Sequence, residues 1–152
     1  MSSFTIFYSI LAMSLLVIWL DVQFHMVYRA KSSRVMRIIL TVIAIGLLIA
    51  SVVVTGSVDD KLTGVASVII LLVFAFWPKG FTKTMLIANL NTVRQFAAIS
   101  KIELITKEAE TVVQVFSGQI QITTLKFKLD SATLAKFLKE RFPEKRLVVK
   151  SA

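Results

Sequence analysis

Three runs of the 152-residue chain, residues 4–20, 38–55 and 62–78, contain no charged side chain, and each is 17 or 18 residues long. A helix needs about 20 mostly apolar residues to cross a hydrocarbon core of ~30 Å, and about 17 is near the lower limit. Hidden in a soluble core, three such runs would demand more interior than a chain of this size encloses. Hydrophobic residues make up 56% of the chain and charged residues 18%; soluble domains run nearer to about 45–50% and 25%. The runs therefore read as three transmembrane helices filling residues 1–78. Val22, Phe24, Met26 and Val27 can lengthen the first. Met1-Ser2-Ser3 supplies no positive leader and no small-x-small site precedes Asp21, so the first run reads as a retained span, not a cleaved signal.

Charge then orients the spans. Arg29, Lys31, Arg34 and Arg37 follow the first run, Asp59, Asp60 and Lys61 the second, and Lys79, Lys83, Arg94 and Lys101 the third. Cytoplasmic loops carry the excess of Lys and Arg, which places the first loop and the C-terminal region in the cytoplasm and the N-terminus outside. Trp19, Tyr28 and Trp77 then belong at the cytoplasmic interface. The runs lack the ionisable groups that proton relays and ion pathways require, which argues against a pump or transporter. Gly46 and Ala50, four apart, leave room for another helix to approach, a spacing that such a composition also produces by chance. Asp21 and His25 stand at i, i+4 beside the first span. They read as an interfacial polar pair; a pH-sensitive latch or half of a metal site is the alternative, although zinc wants three or four protein ligands.

Residues 79–152 differ in kind. They hold 13 Lys and Arg against six acids, an excess of +7, and alternating hydropathy replaces the long runs. Strand candidates fall at 85–89, 93–97, 102–106, 112–116 and 120–129. Lys107-Glu108-Ala109-Glu110 and Ser117-Gly118-Gln119 read as hairpin connections in an antiparallel meander. Ile120 and Ile122 have one parity and Leu125, Phe127 and Leu129 the other, which a bulge near Thr123-Thr124 reconciles. Asp130-Ser131 can cap a helix over 132–142 that Pro143 stops. Leu134, Phe137 and Leu138 on its apolar stripe are expected to pack on Ile102, Leu104, Val113 and Val115. The fold class is thus three transmembrane helices plus a small cytosolic α+β module, an antiparallel sheet closed by one C-terminal helix and ending in a basic tail.

Lys79-Gly80-Phe81 after the last span, the strand Met85-Leu86-Ile87, the segment Ile99-Ser100-Lys101-Ile102-Glu103-Leu104, two hairpin strands and a closing helix follow one another in a telling order. Over residues 79–142 this order resembles small bacterial inner-membrane proteins with a pleckstrin-homology-like (PH-like) cytosolic domain. The resemblance implies that architecture and the bacterial cytoplasmic membrane, and it carries over no binding residue.

Function is read by class. Cysteine is absent and one His is present, so no thiolate site and no nucleophile–base pair can be assembled, and no Gly-rich phosphate loop appears. The chain is read as non-enzymatic, with no catalytic, cofactor or metal residues. Phe96, Phe116, Phe127, Phe137 and Phe142 lie on apolar stripes and form no stacking platform for nucleic acid. The nearest polyanion is the inner leaflet, where each Lys or Arg gains about 1 kcal/mol from anionic lipid. Lys126, Lys128, Lys136, Lys139, Lys145 and Arg146 are the candidate lipid contacts; a solvated cationic surface that only enforces topology explains the same residues. Two roles remain. One is an accessory or regulatory membrane protein whose module binds anionic lipid or another membrane protein. The other is a bacteriocin-immunity-type protein that protects by occupying a membrane target.

Overall fold

The computed structural model describes residues 2–151. In chain order the elements are α1 (Ser3–His25), β1 (Met26–Arg29), α2 (Arg34–Val53), α3 (Val58–Ala75), β2 (Gly80–Thr82), β3 (Met85–Asn89), β4 (Thr92–Gln95), β5 (Lys101–Lys107), β6 (Glu110–Ser117), β7 (Ile120–Phe127), α4 (Ser131–Lys139) and β8 (Leu147–Ser151). They form two compact units. The helical unit comprises the chain up to Phe24 together with Ser33–Trp77; the body comprises His25–Ser32 and the chain from Pro78 onward.

In the helical unit three serines within apolar stretches bond to their own helices. Ser14 donates to the Ile10 carbonyl, Ser51 to Leu47 and Ser67 to Thr63, each at 2.8 Å, the back-bonding that lets Ser and Thr sit in an apolar helix. Ser33 and Ser57 cap α2 and α3 by accepting from the backbone N–H of Met36 and Asp60. Buried Thr5 takes a 3.2 Å hydrogen bond from the Thr63 hydroxyl, which joins α1 to α3. The Trp19 indole donates to the Phe76 carbonyl at 3.0 Å.

The expectation of three spans is corrected. Two helices, α1 and α2, are long and apolar enough to cross a membrane. The third does not match them, because α3 takes Asp59, Asp60 and Lys61 into its first turn and ends at Ala75, short of Phe76-Trp77-Pro78. Its uncharged part, from Leu62 to Ala75, is about 21 Å long at about 1.5 Å per residue, well under the ~30 Å of a hydrocarbon core. The helix contact expected at Gly46 and Ala50 lies elsewhere: nothing approaches Gly46, whereas a Cβ on Gly64 of α3 would collide with the Ser51 side chain of α2. Gly64 is what allows those two helices to close.

The body holds two four-stranded sheets, ordered β1-β2-β3-β4 and β7-β6-β5-β8. All pairs are antiparallel except β5 with β8, which run parallel. The fold class is corrected here too. The sheet-forming region is two sheets instead of one, the second is mixed, and a strand follows the last helix. The expected cytoplasmic loop after the first span is strand β1, whose Arg29 pairs with Gly80. Gly80 adopts φ +144°, a region closed to side chains, and a Cβ there would fall on the Tyr28 carbonyl. Past β1 the chain bonds both neighbours: the Ala30 N–H donates to the Lys79 carbonyl (2.7 Å) and the Lys31 N–H to the Lys126 carbonyl (2.6 Å). This seam brings the edge of one sheet against the edge of the other.

Between the sheets lies one core, with Phe81 of β2 at its centre. Its ring stacks on Phe127 of β7 at 5.1 Å and 3°, and lies 6.0 Å from Phe96 and 6.4 Å from Phe137 of α4. Tyr28, expected at a membrane interface, instead meets Phe137 edge-on at 5.0 Å. Leu134, Phe137 and Leu138 join Ile102, Leu104, Val113 and Val115 in that core. The bulge that the parity of β7 requires falls at Ile122, between the pairs Val115–Thr123 and Phe116–Gln121, one residue before the expected place.

Candidate functional site

Strand alternation builds a charged surface on the body. On β5, Ile102 and Leu104 turn into the core, so Lys101 and Glu103 turn to the outer face of the β7-β6-β5-β8 sheet. Glu103 is only 6% exposed and carries two cations: Lys101 on its own strand, and Lys150 of β8 at 2.9 Å. Hydrogen bonds from Lys101, then from Lys150, hold its carboxyl below the usual carboxylate range against the opposing effect of burial. Lys101 also lies over the Phe116 ring, 5.7 Å from its centre.

A second carboxylate repeats the pattern one hairpin away. Glu110 opens β6 and accepts a 2.6 Å hydrogen bond from Lys31. That bond, with the nearby charges of Lys31, Lys126 and Lys128, lowers its pKa. Five lysines (Lys31, Lys101, Lys126, Lys128 and Lys150) thus surround two acids, an excess of three positive charges. With both carboxylates already engaged by lysines, the surface retains cationic donors for a further anion.

The six residues expected to meet lipid do not form one patch. Lys126 and Lys128 are exposed on either side of fully buried Phe127, on the outer sheet face. Lys136 and Lys139 are exposed on α4, whose opposite side packs into the core. Lys139 pairs with Glu144 at 3.1 Å, and Lys145 and Arg146 lie exposed in the short 3-10 turn Glu144–Arg146. The two groups occupy different sides of the body. Asp21 and His25 fall in the last two turns of α1, and neither is without an interaction partner. Among the described residues no group of three His, Asp or Glu is placed to hold a metal ion.

Sequence reasoning missed Glu103, Lys150 and Lys31. The alternation Lys101-Ile102-Glu103-Leu104 would have found the first. Lys150 meets Glu103 through a parallel pairing of strands nearly fifty residues apart, and Lys31 arrives from between two apolar helices; no local pattern marks either. No protein-family model, curated protein or solved structure matches the chain.

Proposed function

We propose that this chain is a non-enzymatic accessory protein of the bacterial cytoplasmic membrane, whose PH-like body engages the anionic headgroups of the inner leaflet through the lysines of its outer sheet face. The observation that carries this reading is the cluster of five lysines around Glu103 and Glu110. By length and composition α1 and α2 permit membrane association. The chain passes between the helical unit and the body at residues 24/25, 32/33 and 77/78, so the body stays within reach of any surface that holds the helices. Arg29, Lys31, Arg34 and Arg37, between the two apolar helices, favour the cytoplasm for that connection. With α1 across the bilayer the N-terminus is then outside. The PH-like reading rests on β1 to β7 in two sheets followed by α4, with β8 as an addition to that order.

The chain contains no cysteine, so a single label can be placed on this face at Thr124, an exposed position two residues before Lys126. The full chain, carrying an environment-sensitive dye at Thr124→Cys, is reconstituted in nanodiscs of phosphatidylcholine with and without phosphatidylglycerol. Emission should shift to the blue only with the anionic lipid, and should return as the Debye length falls from ~10 Å at 0.1 M to ~3 Å at 1 M salt. Lys126→Glu/Lys128→Glu should abolish the shift. Identical emission in both bilayers would overturn the lipid reading and leave an acidic protein surface as the better ligand.

A further inference from the structure

We infer that the helical unit carries its own site for one anionic phospholipid, separate from the sheet face of the body, in the groove between the start of α2 and Phe76. This rests on the reading that α1 and α2 lie in a bilayer. The groove has a volume of about 360 Å³ and is lined by Arg34, Arg37, Ile38, Thr41, Val42 and Phe76. Two arginines head it, in the first turn of a helix that has no acid there. The positive end of the helix dipole lies at the same place, so three like-signed features converge at the head of the groove and favour an anion there.

A second, independent observation points to a ligand. Arg37 is half-buried and lines the groove; its Nε makes no hydrogen bond, and its guanidinium is held over the Phe76 ring, 5.7 Å from the centre. Buried donors without acceptors are uncommon and call for a partner. Among the described residues a second buried donor without a partner, Trp77 Nε1, is beside Phe76. It belongs with Arg37 to the end of the unit that the Trp19–Phe76 hydrogen bond ties together.

The wall below the arginines selects the kind of anion. Ile38, Thr41 and Val42 lie one, four and five positions after Arg37 along α2 and continue the groove as an apolar strip toward the middle of the helix. A free phosphate would use the arginines and leave that strip bare. A phospholipid uses both: the phosphate takes the guanidinium donors in the fork geometry that Arg offers, and an acyl chain covers Ile38, Val42 and the Phe76 ring.

The two tryptophans of the chain, Trp19 and Trp77, both stand at this end, so intrinsic fluorescence reads the site directly. The full chain is reconstituted in phosphatidylcholine nanodiscs containing a small share of chain-brominated phosphatidylglycerol or the same share of chain-brominated phosphatidylcholine. Bromine quenches tryptophan on contact. Brominated phosphatidylglycerol should quench more strongly in the wild type. Arg34→Gln/Arg37→Gln should reduce that preference by roughly tenfold, the scale of losing a charge-assisted contact. Val42→Phe, which fills the groove and keeps both arginines, should also weaken it, and it decides the matter should the double variant fail to fold. Equal quenching by the two lipids in the wild type would overturn the site while leaving the helices in the bilayer. Quenching by neither would overturn the bilayer reading itself, and the site with it.

Discussion

Glu103 is a carboxylate on the middle of β5, nearly removed from water, with a lysine from its own strand and another from β8. A buried charge is tolerated when its lone pairs are met by cationic donors, and becomes costly when one side of the arrangement is taken away. Because its folded pKa is held below the ordinary 4.5, the stability it contributes is fully present above that value. It is lost as the pH falls through it and on toward the lowered folded value. Glu103→Gln keeps the shape and removes the charge, leaving Lys101 and Lys150 to face an amide. At neutral pH the substitution should lower hydrogen-exchange protection of β5 and β8 by about 1–3 kcal/mol. The difference from wild type should shrink as the pH drops below 4.5. A difference that held constant from neutral to acid pH would show that the charge of Glu103 does not support these strands. The same residue marks a limit of local reading. Alternation tells that Glu103 faces out, but its burial depends on Lys150, which only the parallel pairing brings alongside.

Among the elements, α4 was the most legible, because Leu134, Phe137 and Leu138 repeat at helical spacing, although the helix ends at Lys139, short of the expected Phe142 before Pro143. Leu134 and Leu138 are fully buried and Phe137 nearly so. Leu138→Asp would place an unpaired charge in the core, at a cost of roughly 3–5 kcal/mol. Exchange protection should then collapse in β5 and β6, which contribute Ile102, Leu104, Val113 and Val115 to the same core; unchanged protection there would show that α4 does not hold the sheets together. Strands β3, β5, β6 and β7 were readable from β-branched alternation and from their hairpin turns. β1, β2 and β8 were not, since each has only three to five residues and β1 and β8 pair with strands far along the chain. In Met26–Arg29 the hydropathy of the preceding helix and the charge of the following loop conceal the strand. The third apolar run misled for a related reason: hydropathy counts residues whether or not they are helical, and Phe76-Trp77-Pro78 lie beyond the end of α3. Of the candidate surface, Lys126 and Lys128 could be read from their parity with Phe127. Alternation also turns Glu103 outward, but no local pattern tells which lysines meet Glu103 and Glu110.

At the scale of the whole molecule, the body is not a contiguous stretch of chain. It is assembled from His25–Ser32 and everything after Trp77, with α2 and α3 inserted between. The three residues of β2 are held between β1 on one side and β3 on the other, and carry Phe81, on which the two sheets and α4 converge. Without β1, that strand becomes an open edge, and Tyr28 and Ala30 are lost from the core along with the seam from Lys31 to Lys126. A fragment of residues 78–152 should therefore aggregate or show poorly dispersed amide resonances, whereas the same residues behave as a folded body in the full chain. Restoring the missing strand should repair it. Residues 25–32 joined ahead of Pro78 would meet β2 as an antiparallel hairpin. The Ala30 N–H already bonds the Lys79 carbonyl, so the ends lie close. A Gly/Ser linker of about six residues, spanning roughly 14 Å on average, is long enough to close them. The linked protein should elute as a monomer with a dispersed amide spectrum. Equal dispersion from the two proteins would show that β1 is an ornament of the sheet and that the body folds from the C-terminal half alone. Failure of the linked protein would show instead that the inserted helices themselves hold the body in its fold.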